Sequence, residues 1–389
     1  MNAPVTLPDA GPVSVSRVQA WVFRAPIDTP VRTSFGVMTD RPAVLVRVED
    51  PDGAFGWGEI WCNFPTCGAE HRARLVDSVL APRLVGRSFT SPDQAYARLA
   101  GETHTLVLQT REYGPVAQAL AGVDLALWDL AARRRRVPLW QLLGADRQRV
   151  PVYASGINPE LAGERVAECR AAGYRAFKIK VGFNAAADLS VARAAADDLG
   201  DGEQLMLDAN QAWDRDTALD MVRHLPHERL EWLEEPMPVD SPAADWTTLA
   251  RASPVALAGG ENLADAPGFD QSIELGALSV LQPDLCKWGG ITGCYTVARR
   301  ARGAGRRYCP HYLGGGIGLI ASAHLLAAAG GDGLLEVDSN PNPLRRTLAQ
   351  PYPAVSDGGM TLSGDPGLGV EPDLETAARW QVLHTDRHR

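Results

Sequence analysis

The chain lacks the features that would tie it to a membrane, a polyanion or a cross-linked scaffold. Of its 389 residues only six are cysteines, Cys62, Cys67, Cys169, Cys286, Cys294 and Cys309, and no two of them form a Cys-x-x-Cys pair. A thiolate zinc cluster or a disulfide framework is therefore not expected, and reduced thiols are. No stretch reaches 18 uninterrupted apolar residues, and residues 1–17 lack the apolar core of a signal peptide, which predicts a soluble, cytoplasmic protein with no membrane partner. Positive charge is also in short supply. The formal net charge of -9 argues against nucleic acid or an anionic surface as a partner. The one basic run, Arg133 to Arg136, follows a helical pattern over 116–130 and complements the C-terminal end of that helix.

What is present is apolar material for a large core: 45% of residues are hydrophobic and 22% charged. Strand patterns at 13–24, 43–50 and 55–59, with a Pro51-Asp52-Gly53 turn before the last, are followed by helical patterns at 69–84 and 116–130. Strands first and helices afterwards suggest a small α+β domain over 1–127. From residue 150 onward short apolar runs alternate with amphipathic helical stretches. Strands are expected at 150–154, 176–181, 205–210, 230–235, 255–260, 278–284, 307–311 and 333–337, which is an α/β barrel over 128–345. The eighth helix is obscured by Pro341, Pro343 and Pro351, and the segment 346–389 reads as irregular chain folding back on the first domain.

The stretch that organises the barrel is Phe177-Lys178-Ile179-Lys180-Val181-Gly182. Side chains alternate across a strand, so Lys178 and Lys180 point the same way, either to solvent as on an edge strand or into a closed site. Barrel chemistry sits at the C-terminal ends of strands. There the chain places Lys180, Asp208, Glu234, Glu261, Asp284, His311 and Glu336, one polar group every 23 to 28 residues. A single acid after a strand can be a helix cap; three on neighbouring strands, Asp208, Glu234 and Glu261, would repel unless a cation joined them. All-oxygen ligation selects a hard ion, Mg2+ first. His311 alone reads as structural, but Asp284 on the preceding strand would fix its tautomer and raise its pKa, making a general acid. The glycines that follow, Gly314 to Gly318, let the chain pass close to a ligand where barrels often hold phosphate, although the run lacks the Lys-Ser/Thr of a P-loop.

Taken in order, Val123-Asp124 with Trp128-Asp129, Val137-Pro138 leading to Gly144, Lys178-Ile-Lys180, Asp208-Ala-Asn210-Gln211, Glu234-Glu235-Pro236, Gly260-Glu261-Asn262, Pro283-Asp284 with Lys287 and Gly290, and His311 resemble the enolase superfamily and, within it, the mandelate racemase subgroup. The likeness runs from about residue 13 to about residue 370. It implies an N-terminal α+β capping domain over a modified TIM barrel, (β/α)7β, with the C-terminal segment returning to the cap. It further implies Mg2+ on Asp208, Glu234 and Glu261, Lys180 as base, and His311 with Asp284 as acid. Lys178 supplies positive field and holds the substrate carboxylate, and Glu336 donates to that carboxylate in its protonated form. Asn210 is expected at the substrate. Cap loops near 31–39 and 59–66 would close over it, the second bringing Trp61 and Asn63. Muconate-lactonising relatives carry a lysine where this chain has its His–Asp pair, which places it with racemases and acid-sugar dehydratases. The implied reaction is Mg2+-dependent abstraction of the proton alpha to a carboxylate through an enediolate. Dehydration of a sugar acid comes first, and racemisation or epimerisation of an α-substituted carboxylate is the alternative. A homo-oligomer is expected.

Overall fold

The structure, a computed structural model, describes residues 5–33 and 36–388. The cap is built on β2 (Arg17–Thr33), β3 (Gly36–Glu49) and β4 (Phe55–Ile60), an antiparallel meander; before it β1 (Val13–Val15) pairs with β5 (Arg87–Phe89). The first anticipated cap loop is the tip of the β2–β3 hairpin, where Val31 lies opposite Met38, while Ser34 and Phe35 fall outside the described residues.

The helical pattern at 116–130 is the core of a longer helix, Tyr113–Arg135, closed by Arg136 in the left-handed conformation with φ 56°. It presses directly on β4. Gly56 and Gly58 share one face of that strand, and a Cβ on them would come within 2.1 Å of the Ala126 carbonyl and 1.9 Å of the Gly122 carbonyl. On its other side the helix meets the barrel: Trp128 Nε1 donates to Thr292 Oγ1 at 2.9 Å, and Asp124 accepts from the Thr292 hydroxyl at 2.6 Å. Asp129 receives the Trp57 N–H at 2.8 Å and the Leu368 N–H at 2.7 Å. The division at 127/128 thus falls inside a helix that both halves pack against.

The barrel comprises β6 (Arg149–Ile157), β7 (Ala176–Lys180), β8 (Gln204–Asp208), β9 (Leu230–Glu234), β10 (Leu257–Gly259), β11 (Val280–Leu281), β12 (Arg307–Tyr308) and β13 (Leu335–Asp338), parallel in order, with β13 returning to β6. Seven strands are each followed by a substantial helix, ending with Gly316–Ala329; after β13 comes only the five-residue helix Pro343–Thr347, so the architecture is (β/α)7β. One of the seven helices, Ala243–Ala252, starts directly after Pro242. Alternation in β7 works as expected: Phe177 and Ile179 join the layer beneath the helices, and Lys178 points inward above Tyr153. The tail differs from the irregular chain anticipated. It forms a hairpin of β14 (Val355–Ser356) and β15 (Gly359–Thr361) against β6, then β16 (Gln381–His388) antiparallel to β2. Its mostly exposed, polar sequence is that of an edge strand and carries no apolar run to announce it.

The fit of β4 against bare helix backbone yields the first prediction. Gly58→Ala should destabilise the protein by about 1–3 kcal/mol, the usual range for overpacking. A denaturant midpoint equal to wild type would show that the strand is not pressed on the helix.

Candidate active site

The parallel register of the barrel sets Lys180 beside Asp208, and Asp208 beside Glu234. Below them Lys178 is 2% exposed. Its Nζ lies 2.7 Å from both Glu234 carboxylate oxygens and 2.9 Å from Glu336 Oε1, with Asp208 Oδ2 at 4.0 Å. Burial alone would lower its pKa, but the Glu234 and Glu336 carboxylates overrule burial and hold it well above an ordinary lysine. Lys178 is therefore a permanent cation. Lys180, one step nearer the strand end, donates to Asn210 Oδ1 at 2.7 Å and faces the cavity. Asn210 in turn gives its backbone N–H and its Nδ2 to Asp208, at 2.8 and 3.0 Å, from a backbone with φ 44°.

Across the mouth, His311 Nδ1 lies 2.8 Å from Asp284 Oδ2, which leaves Nε2 directed to the cavity, 3.2 Å from Glu261 and 3.8 Å from Glu336. Burial opposes a charged imidazole here, yet Glu261, Glu336 and the Asp284 hydrogen bond raise its pKa to about 9. Asp284 is itself held by the backbone N–H groups of Cys286 and Lys287. Glu336 accepts from Lys178, from the Ser155 hydroxyl and from the Tyr312 N–H at 3.0 Å. Although burial works against ionisation, Lys178 and His311 hold it below the usual carboxylate range. As the side chains stand, both Glu336 oxygens are engaged by donors from the chain itself.

All eleven residues singled out gather in one region. Trp61, Asn63, Lys180, Asp208, Asn210, Glu261, His311 and Glu336 line a cavity of about 270 Å3 under the cap, whereas Lys178, Glu234 and Asp284 lie behind its wall. Asn63 uses its Nδ2 to hold the Leu313 carbonyl at 2.7 Å, and Trp61 covers the Lys287 ammonium, 4.7 Å from the ring centre. Lys178 therefore lies below the cavity rather than in it. A larger cavity of about 660 Å3 on the barrel flank is lined by Met237, Trp246 and Leu278 among others and includes no basic side chain, so it lacks the paired acid and base of the smaller one.

Several participants went unassigned in the sequence reading. Glu235, quoted above only as part of the Glu234-Glu235-Pro236 motif, lies past the end of β9 with φ 38°, which turns its carboxylate into the cavity against Asn262 Nδ2 at 2.9 Å. Burial, then the nearby Glu261 and Asp208 charges, push its pKa well up. Lys287, three residues beyond Asp284 in a loop, pairs with Glu261.

The donor set decides whether a cation belongs here. As the side chains stand, no three His, Cys, Asp or Glu groups among the described residues converge as metal ligands, because Glu234 is turned to Lys178 and to Gln282 Nε2 at 2.6 Å, and Glu261 to Lys287 and His311. The charge balance nevertheless favours one. Six carboxyl groups (Asp208, Glu234, Glu235, Glu261, Asp284, Glu336) face Lys178, Lys180, Lys287 and His311, so acids outnumber bases even with Glu235 counted as neutral and the imidazole as protonated. That surplus keeps Glu234 raised to about 7 through burial and the Asp208 and Glu336 charges, despite Lys178. Hard oxygen donors with unneutralised charge suit Mg2+.

Comparison with known proteins agrees with this arrangement. A family model described as the mandelate racemase / muconate lactonizing enzyme N-terminal domain matches residues 17–144, and one described as enolase C-terminal domain-like matches residues 162–377. The D-galactarolactone cycloisomerase of Agrobacterium fabrum is 31% identical, spanning 95% of this chain and 99% of its own length. A crystal structure of a mandelate racemase/muconate lactonizing enzyme from Bordetella bronchiseptica RB50 is 54% identical, with a TM-score of 0.90 over 95% of this chain and 99% of that one. The L-talarate/galactarate dehydratase of Salmonella typhimurium LT2, solved with Mg and L-lyxarohydroxamate, is 27% identical, with a TM-score of 0.86 over 100% of this chain and 98% of that one. Other relatives are named as sugar-acid dehydratases, cycloisomerases and racemases.

The raised His311 pKa has a thermodynamic counterpart. An unfolded histidine titrates near 6.5 and the folded one near 9, so the native state holds the proton more tightly. Its contribution is complete below about pH 6.5 and is lost as pH rises through about 9. The stability difference between wild type and His311→Asn should therefore shrink between these limits by on the order of 3 kcal/mol. Urea unfolding at several pH values measures it, and a pH-independent difference would contradict the assignment.

Proposed function

The chain belongs to the mandelate racemase / muconate lactonizing enzyme family of the enolase superfamily, and from that membership we propose that it is an enzyme that removes the proton beside the carboxylate of a sugar acid and expels the neighbouring hydroxyl as water. One observation carries the proposal: the Lys180 side-chain nitrogen and the His311 imidazole open on the same small cavity from opposite sides. Lys180, in its neutral form, takes the α-proton, and the electron pair of that C–H bond moves toward the carboxylate to give an enediolate. As the pair returns, the C–O bond to the β-hydroxyl breaks. His311 Nε2 delivers its proton to the departing oxygen and water forms. The resulting enol tautomerises to a 2-keto acid.

The remaining groups position these two. Asp284 accepts from Nδ1 and keeps Nε2 aimed inward. Asn210 holds Lys180 at the strand end, and Lys178, fixed by Glu234 and Glu336, supplies positive potential from below. Trp61 and Asn63 cover the cavity and limit its water. Asp208, Glu234 and Glu261 would hold Mg2+, which when bound stabilises the charge developing on the substrate carboxylate by several kcal/mol.

The same bond changes serve a neighbouring reaction. If the β-oxygen belongs to a lactone or anhydro ring, its expulsion opens the ring, a cycloisomerisation of the kind for which the Agrobacterium relative is named. Return of a proton to the α-carbon without expulsion is racemisation.

Proton NMR in D2O with a panel of sugar acids and Mg2+ separates these outcomes. Lys180→Ala should lose both α-proton exchange and 2-keto product by about 10²–10⁴-fold, whereas His311→Asn should lose product while retaining exchange. Deuterium at the α-carbon with no 2-keto acid would replace dehydration by racemisation. Full exchange in both variants would end the mechanism. Chelation with EDTA should stop turnover and added Mg2+ restore it.

A further inference from the structure

The glycine run after His311 opens the Gly316–Ala329 helix, whose first N–H groups would suit a phosphate. The protein fills that place itself. Glu59, at the end of cap strand β4, accepts from the Gly315 N–H at 2.5 Å through one oxygen and from the Gly318 N–H at 2.8 Å through the other. It is 2% exposed, and no cationic side chain pairs with it among the described residues. Gly315 has to be glycine for this contact, since a Cβ there would come within 2.5 Å of the Glu59 carboxylate. Burial pushes the Glu59 carboxyl above the usual range, and the Gly318 N–H, the Tyr312 hydroxyl and the Gly315 N–H oppose that rise without cancelling it.

The segment between His311 and this helix is pinned at every step. Tyr312 donates its N–H to Glu336 at 3.0 Å, the Leu313 carbonyl accepts from Asn63 at 2.7 Å, and the Gly314 carbonyl accepts from Asn342 at 2.9 Å. Glu59 and Asn63 come from the cap, so half of what holds the histidine loop is not barrel at all. Trp61 adds a third tie by donating its N–H to the Cys286 carbonyl at 3.2 Å, two residues from Asp284.

We propose that Glu59 is a positioning residue for His311: its carboxyl group occupies the anion site at the start of the Gly316–Ala329 helix and couples the His311 loop to the docked cap. This rests on His311 being the acid of the proposed reaction. Glu59 does not reach the cavity and takes no part in bond changes.

The test uses the whole chain with histidine-selective isotope labelling, the His311 signals being identified by their loss in His311→Asn. In Glu59→Ala these signals should shift, and millimolar formate or inorganic phosphate at matched ionic strength should return them saturably toward wild type. Wild type itself should not respond to inorganic phosphate. Glu59→Gln keeps the size of the side chain but turns an amide NH2 toward a backbone N–H; it should fold, shift the His311 signals, and resist rescue because the site is filled. With a substrate in hand, both variants should lose about 10²-fold in kcat with little change in KM. His311 signals identical to wild type in Glu59→Gln, or a phosphate response in wild type, would overturn the proposal, even where Glu59→Ala does not fold. The NMR arm uses no sugar acid, so its failure leaves the lysine–histidine reaction standing, and failure of α-proton exchange leaves the Glu59 coupling standing.

Discussion

A buried ammonium group sustains the site. Lys178 sits where an isolated charge would be costly, and it persists because Glu234 and Glu336 surround it with opposite charge. Each partner is in turn shaped by the lysine. Glu336 is drawn below the ordinary carboxylate range and can accept from Ser155 and from the Tyr312 backbone, while Glu234, raised by burial and by the Asp208 charge against the pull of Lys178, is left at about 7. The negative ring that Lys178 only partly neutralises then keeps His311 charged on the far side. Remove the lysine and three barrel strands would end in carboxylates with nothing between them.

Much of this was legible in the chain because of one regularity. Seven of the barrel strands are short runs that end on a charged residue or meet a titratable one within three residues, so strand order and site membership are written together, and the alternation of Phe177, Lys178, Ile179 and Lys180 separates inside from outside. The alternation fails as soon as the strand stops. Glu235 turns back toward the cavity through a positive φ that no pairing pattern encodes, and Lys287 arrives from a loop whose path depends on Asp284 accepting its backbone N–H. The surroundings of Glu336 escaped local pattern for a related reason: Lys178, Ser155 and Tyr312 come from three separate places in the chain and meet only in the assembled cluster. Local patterns also concealed the extent of the Tyr113–Arg135 helix and the polar edge strand β16.

The cap is bound to the barrel by more than loops. Arg41, fully buried in β3, reaches Asp338 at the end of β13 at 2.6 Å, and Arg345 meets the same carboxylate at 2.8 Å. Asp338 also accepts from Asn340, which borders the cavity, so one ionic contact orders both the domain junction and a stretch of the site wall. Two of the Arg41 nitrogens, Nε and Nη1, have no hydrogen-bond partner among the described residues, a desolvation cost borne at the junction.

The bare backbone contact between β4 and the Tyr113–Arg135 helix has a consequence for how such a cap can diversify. Gly56 and Gly58 set strand against helix through main-chain atoms, so the placement of β4 is recorded in groups that every residue shares. Side chains on the hairpin tip and on the loop around Trp61 can change shape and polarity to suit a different acid, while the strand that carries Glu59 stays where it is. The cap behaves as a hinge-free jig: its working edge is open to revision, and its datum surface is not.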